Sequence, residues 1–264
     1  MNSEITQLIS LVTHVNARLQ GLDVTPDLDN ALASFNRRIE FVEIPEGGEL
    51  EDSKVLAKNP SEWLDQLVEQ GVKRVRIHYT PSMESGLADH IFVAFVGGGG
   101  QWIVEVVHGT TSSLWEAGWV AALARGNRLL KAFYVRITKS WKPIENQVST
   151  KDAKSNLLSA LEEVYKFADI DEYSRHWTTN FQNAMNDLRA ENPLSETNYI
   201  PRNCLTNEAE QIISACFTGW VFGGMGSWND MAFGGEMEEE YHRVSDSLYT
   251  AICNAIVAAI NSYP

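Results

Sequence analysis

Arg74-Val75-Arg76-Ile77-His78-Tyr79 decides the class of fold. Val75, Ile77 and Tyr79 alternate with Arg74, Arg76 and His78, so the apolar period is 2, that of a half-buried strand. Residues 90–96 and 101–107 flank Gly97-Gly98-Gly99-Gly100 and read as a hairpin around a glycine turn. Pairing Val96 with Gln101 gathers Ile91, Val93 and Phe95 with Trp102, Val104 and Val106 on one apolar face. Further on, Ala132, Tyr134, Arg136 and Thr138 alternate with Phe133, Val135 and Ile137, and 114–123, which fits a strand or a short helix, is read as one more strand. No helix-length crossover separates these runs. The expectation is an antiparallel β-meander of four to five strands over about 73–139.

On either side the period lengthens to that of a helix. Ile5, Leu8, Val12, Val15 and Leu19 form one stripe, ended by Gly21. Thr25-Pro26 followed by Leu28, Leu32, Phe35 and Ile39 reads as a second helix, and 45–58 as an acidic surface connection. Asn59-Pro60 opens a third, with Trp63, Leu64, Leu67 and Val68 inward. From Ser149 four more stripes follow: Leu157–Tyr165, Trp177–Leu188, Ile212–Trp220, and Tyr241–Ile256 within about 236–262. Helices, then sheet, then helices make an α+β protein. Its parts are 1–145 (helices and sheet) and 146–264 (helical), packed as one compact unit.

The 264 residues are 44% hydrophobic and 21% charged, which excludes collagen-like, disulfide-scaffold and low-complexity classes. Lys and Arg number 21 against 35 Asp and Glu, a net −14. That deficit argues against nucleic acid as a partner, since phosphate backbones need surplus cations. Three scattered cysteines, Cys204, Cys216 and Cys253, fit reduced thiols in a cytoplasm. No apolar run reaches the length of a membrane span, and the start of the chain has no signal-peptide pattern. Charge is unevenly divided: −8 over 1–72, +5 over 73–142 and −11 over 143–264. Acidic helices packed over a basic sheet edge would balance it. A basic face open to an anion, with Arg74, Arg76, Arg136 and Lys139, is the other reading.

Few residues carry chemistry. The glycine run lacks a following helix N-terminus and a Lys-Ser/Thr pair, so it is a turn, not a phosphate cradle. His90 and His108 point to opposite faces of the expected hairpin, and His78 reads as a surface residue. Glu105 lies among apolar neighbours opposite Phe92, where a carboxylate loses solvation; pairing with Arg74 or Arg136 is the plain reading and acid–base work the sharper one. Glu239-x-x-His242 has the spacing of a di-iron ligand pair without a second copy, so neither metal nor cofactor is assigned. The most distinctive stretch is 219–235, with six glycines around Trp228, Asn229, Asp230 and Phe233. It reads as a packed connection or as a ligand loop with Trp228 and Phe233 as its wall. No nucleophile elbow, HExxH or Walker pattern occurs, and no catalytic residue is assigned.

The function these features favour is a non-enzymatic protein-binding module of the inhibitor or immunity type. Its acidic surface, Glu238, Glu239 and Glu240 included, would meet a basic protein partner. The alternative is an enzyme or small-ligand binder with a pocket between the sheet and the loop 222–235, lined by Glu105, Trp228, Asn229, Asp230 and Phe233.

Overall fold

The computed structural model describes residues 1, 3–22, 39–82, 88–95, 97–124, 127–141, 148–193 and 199–263. It is an α+β protein with one six-stranded mixed sheet and, among the described residues, seven helices. In chain order these are α1 (Ser3–Leu19), β1 (Ile39–Glu43), β2 (Lys54–Ala57), α2 (Pro60–Glu69), β3 (Arg74–Thr80), α3 (Asp89–Phe92), β4 (Gln101–Val107), β5 (Ser112–Ala124), β6 (Asn127–Trp141), α4 (Thr150–Ile170), α5 (Thr178–Asp187), α6 (Asn207–Thr218) and α7 (Glu236–Asn261). The strands lie in the order β2-β1-β6-β5-β4-β3.

The meander is there as β3 to β6, but it is only part of the sheet. β1 adds to β6 in parallel, Phe41 opposite Tyr134, and β2 adds antiparallel to β1. The sheet is therefore mixed, and the expected purely antiparallel sheet of four to five strands is corrected. Two signals concealed the extra pair. Of the four residues of β2 only Ala57 is buried, so it shows no alternation and looked like surface connection. Ile39, read as the end of a second helix, opens β1; the rest of that helix lies outside the described residues.

The hairpin at the glycine run is also corrected. Asp89–Phe92 is a helical turn, and β4 pairs instead with β3, Arg76 opposite Glu105 and Thr80 opposite Gln101. The run Ile91-Phe92-Val93-Ala94 is apolar at every position and has no period of 2 to lay down as a strand. The glycines are packed, not loose. A Cβ on Gly98 would stand 2.1 Å from the Phe92 carbonyl oxygen, and one on Gly99 2.5 Å from the Tyr249 hydroxyl. Gly99 and Gly100 have φ of +88° and +90°, in the left-handed region that favours glycine. Tyr249 donates to the Gly99 carbonyl at 2.6 Å.

The face of the sheet bearing Val75, Ile77, Val104 and Val106 is core, and α1 and α7 pack against β3. β3 is an edge strand, yet its outer backbone is not left open. The Asn16 carboxamide of α1 takes both the N–H (2.8 Å) and the C=O (2.7 Å) of Val75. Asn261 of α7 does the same for Ile77, at 2.9 and 2.7 Å. Each carboxamide stands in for one residue of a missing neighbour strand. The expected basic sheet edge under acidic helices is thus covered by neutral groups.

Helix starts follow the sequence signals. Asn59 accepts from Glu62 N–H before Pro60, and Ser149 and Thr206 cap α4 and α6 in the same way. One continuous apolar cluster joins α1, the sheet and the helices α4 to α7.

Candidate functional site

Glu105 is completely buried, on the sheet face opposite Val104 and Val106. Its partners are not those expected. Ser112 Oγ donates to Oε1 at 2.6 Å, His78 Nε2 lies 2.9 Å from Oε2, and an Arg76 nitrogen lies 3.7 Å away. Arg76 directly opposes Glu105 in the register and His78 is two residues along, so His78 is a partner in a buried polar cluster and no surface residue. Ser112 and His78 both turn to the carboxylate, and Ser112 is itself fully buried. That arrangement gives both oxygens of the buried carboxylate a partner.

The loop 222–235 divides its predicted residues. Trp228 is fully buried among Phe167, Trp177, Phe181 and Tyr241, and its indole N–H donates to Ser245 Oγ at 2.8 Å. Phe233 meets Phe167 edge-on and Tyr241 at a tilt. Asp230 is exposed and accepts from the N–H of Gly226 within its own turn. Asn229 donates to the carbonyl of His90 at 2.7 Å, tying the loop to α3. Trp228 and Phe233 thus meet in the helical layer, and Glu105 is not brought to them.

The acidic start of α7 is locally engaged. Glu238 accepts from Phe233 N–H at 2.8 Å, and its other oxygen lies 3.1 Å from His242 Nε2. Glu240 accepts from Nε and one terminal nitrogen of Arg243, whose other terminal nitrogen reaches Glu163 at 2.9 Å. Glu239 is exposed. His242 therefore turns to Glu238 and not to Glu239, and no group of three His, Cys, Asp or Glu among the described residues is disposed to hold a metal ion.

A cavity of about 320 Å³ lies where α2 crosses the core face of the sheet, near the β4–β5 turn. Its floor is aromatic. Trp63 stacks on Phe41 with centroids 4.2 Å apart, Phe41 on Tyr134 at 5.2 Å, and Trp115 meets Phe41 and Trp63 edge-on. Polar groups sit above it: Gln66 and Gln70 from α2, His108 and Thr111 from the turn, Ser113 from β5 and Arg136 from β6. Arg136 is fixed on two sides, by Glu43 at 2.8 Å and by the Trp115 ring, 5.5 Å below its guanidinium carbon.

The remaining donors are unsatisfied. Trp63 Nε1 and Arg136 Nε are buried, and neither has a hydrogen-bond acceptor among the described residues. A buried N–H without a partner costs about 1–3 kcal/mol, so the rest of this layer must offset both. Trp115 Nε1 donates to Ser113 Oγ at 3.1 Å, and Ser113 Oγ lies 3.3 Å from His108 Nε2. Ser113 Oγ keeps its own O–H and a second lone pair, so it can pair with either tautomer of His108. Burial first, then the Arg136 cation, holds the His108 pKa below its ordinary value, consistent with a neutral ring.

Sequence reasoning included Arg136 among the sheet cations but took Trp63 as core stripe and passed over Gln66, Gln70 and Ser113. The available signal was that Arg136 shares its strand face with Ala132 and Tyr134, a cation on an apolar face. No family model matches this chain, and neither a curated protein nor a solved structure resembles it significantly.

Proposed function

We propose that the protein binds a small polar molecule in the cavity beneath α2. The observation that carries this is the cavity itself, bounded by the rings of Trp63 and Trp115 and by the polar side chains of Gln66, His108, Ser113 and Arg136. The size supports it, since a volume near 320 Å³ lies at the small end of ligand pockets and suits a metabolite. Rigidity supports it too: the floor is stacked rings, and Arg136 is held by an ion pair and a ring, so little order need be imposed on binding. The protein-docking reading keeps its support in the net charge, but Glu238 and Glu240 already have partners within the chain.

The test is a thermal-shift screen of small polar metabolites, followed by titration of tryptophan fluorescence, because Trp63 and Trp115 line the site. A ligand at a hundred times its Kd adds about 2.7 kcal/mol of stability, a rise of several degrees in Tm. The shift should vanish in Thr111→Trp, which fills the cavity mouth from an exposed turn. A ligand that stabilises this variant as well as the parent binds elsewhere, and the cavity reading fails.

A further inference from the structure

We propose that neutral His90 is an acid-sensitive latch on α3: protonation of its ring frees α3 from α7 and from the loop 222–235 before the rest of the fold opens. His90 is completely buried, and its Nδ1 lies 2.8 Å from Asp246 Oδ1 on α7. A carboxylate accepts, so Nδ1 carries the hydrogen and the neutral ring keeps only a lone pair on Nε2. Nε2 is buried and has no hydrogen-bond partner among the described residues. A second proton puts an N–H and a full charge at that place, which costs more than leaving a neutral acceptor unpaired.

The same residue holds its neighbours together. Its carbonyl accepts from Asn229 Nδ2 at 2.7 Å, and the Phe222 ring lies 5.7 Å from its own. The Phe92 carbonyl of α3 accepts from Phe95 N–H at 2.8 Å and packs against Gly98. Phe92 and the glycine run wall a cavity of about 570 Å³, so the state of His90 sets the shape of that wall.

The titratable groups about the ring, among the described residues, are Asp246 and His242 on α7 and Asp89 on α3 itself. The loop 222–235 brings Phe222 and Asn229, which do not titrate. The His242 ring is 6.3 Å away, and its Nε2 is 3.1 Å from Glu238. Burial lowers the His90 pKa against the pull of Asp246; His242 adds to the lowering and Asp89 opposes it. Below about pH 6.5 the opened form therefore gains a proton that the closed form refuses. The Glu4 carboxyl beside Gly97 has the opposite sign, since burial raises its pKa, and does not produce such an effect.

Amide hydrogen exchange of the full chain, corrected for the intrinsic pH dependence of exchange, is read by mass spectrometry at pH 7.5 and pH 5.5. Opening over 89–95 and 222–230 should rise about threefold or more on acidification. Residues 252–260 of α7 should stay about a hundredfold better protected at both pH values. The rise should vanish in His90→Asn, whose side-chain N–H can still face Asp246. It should persist in His242→Gln and in Asp246→Asn, because the proton belongs to the His90 ring. A smaller rise in the parent, protection of α3 equal to that of α7, or a rise kept in His90→Asn overturns the latch. So does a rise lost in His242→Gln or Asp246→Asn. Should His90→Asn fail to fold, these two variants carry the test, since both side chains are about half exposed.

Discussion

At the scale of single residues, burial dominates the titrating groups of this protein. Burial raises the Glu4 carboxyl from its ordinary range to about 7, against the opposing effect of a Gly97 backbone hydrogen bond. Between about pH 4.5 and 7 the native chain then holds a proton there that the unfolded chain has lost, so this site costs stability as pH rises through that interval. His90 runs the other way. Burial lowers its pKa despite Asp246 at 2.8 Å, so the native state binds less proton than the unfolded one and this site costs stability as pH falls below about 6.5. Glu4→Gln should stabilise the protein by about 2 kcal/mol at pH 8 and by almost nothing at pH 4, read from urea unfolding at both. An equal gain at the two pH values would mean that the Glu4 proton is not the cause. The cysteines are quiet: all three are buried free thiols, and burial pushes Cys204 up to about 12, away from thiolate chemistry.

At the scale of elements, the edge of the sheet is the most exacting construction. Backbone groups of Val75 and Ile77 are satisfied by Asn16 and Asn261, both nearly inaccessible to solvent. Asn16→Ala should cost about 2–4 kcal/mol, since it leaves one donor and one acceptor without partners. The measurement is the urea midpoint at constant m. A loss below about 0.5 kcal/mol would show that water replaces the carboxamide freely. The existence of α1, α2 and α4 to α7 was legible in the sequence, because caps such as Asn59 and stripes such as Leu157 to Tyr165 are local chemistry; the helical turn α3 was not. The strand partner of β4 was not. A glycine run between apolar residues looks like a hairpin from either side. What decides otherwise is contact with Tyr79 and Tyr249, and Tyr249 is 150 residues away along the chain.

At the scale of the whole molecule, the continuous cluster from α1 through the sheet to α7 predicts one cooperative unfolding transition. In calorimetry the ratio of van't Hoff to calorimetric enthalpy should lie near one. Two resolved transitions would divide the helical part from the sheet. Charge is settled within layers: Arg76 meets Glu105 and Arg136 meets Glu43 inside the sheet, while Arg243 meets Glu163 and Glu240 among the helices. Block sums of charge along the chain could not show this, because they ignore which strand lies beside which. The α+β class was legible for the same reason that the cavity was not. Class follows from period, whereas the cavity takes Leu56, Trp63, His108, Ser113 and Arg136 from five separate segments. No helix of the described residues is long and apolar enough to cross a membrane.

The carboxamide seal on β3 also has a timetable. Asn261 lies 184 residues beyond Ile77. A ribosome adding about 5–20 residues per second needs roughly 10–40 s to travel from one to the other. Throughout that interval the nascent chain carries a hairpin-competent strand with half of its outer rim unsealed, ready to zip onto a neighbouring copy on the same polysome. The rim at Ile77 closes only when α7 has been made.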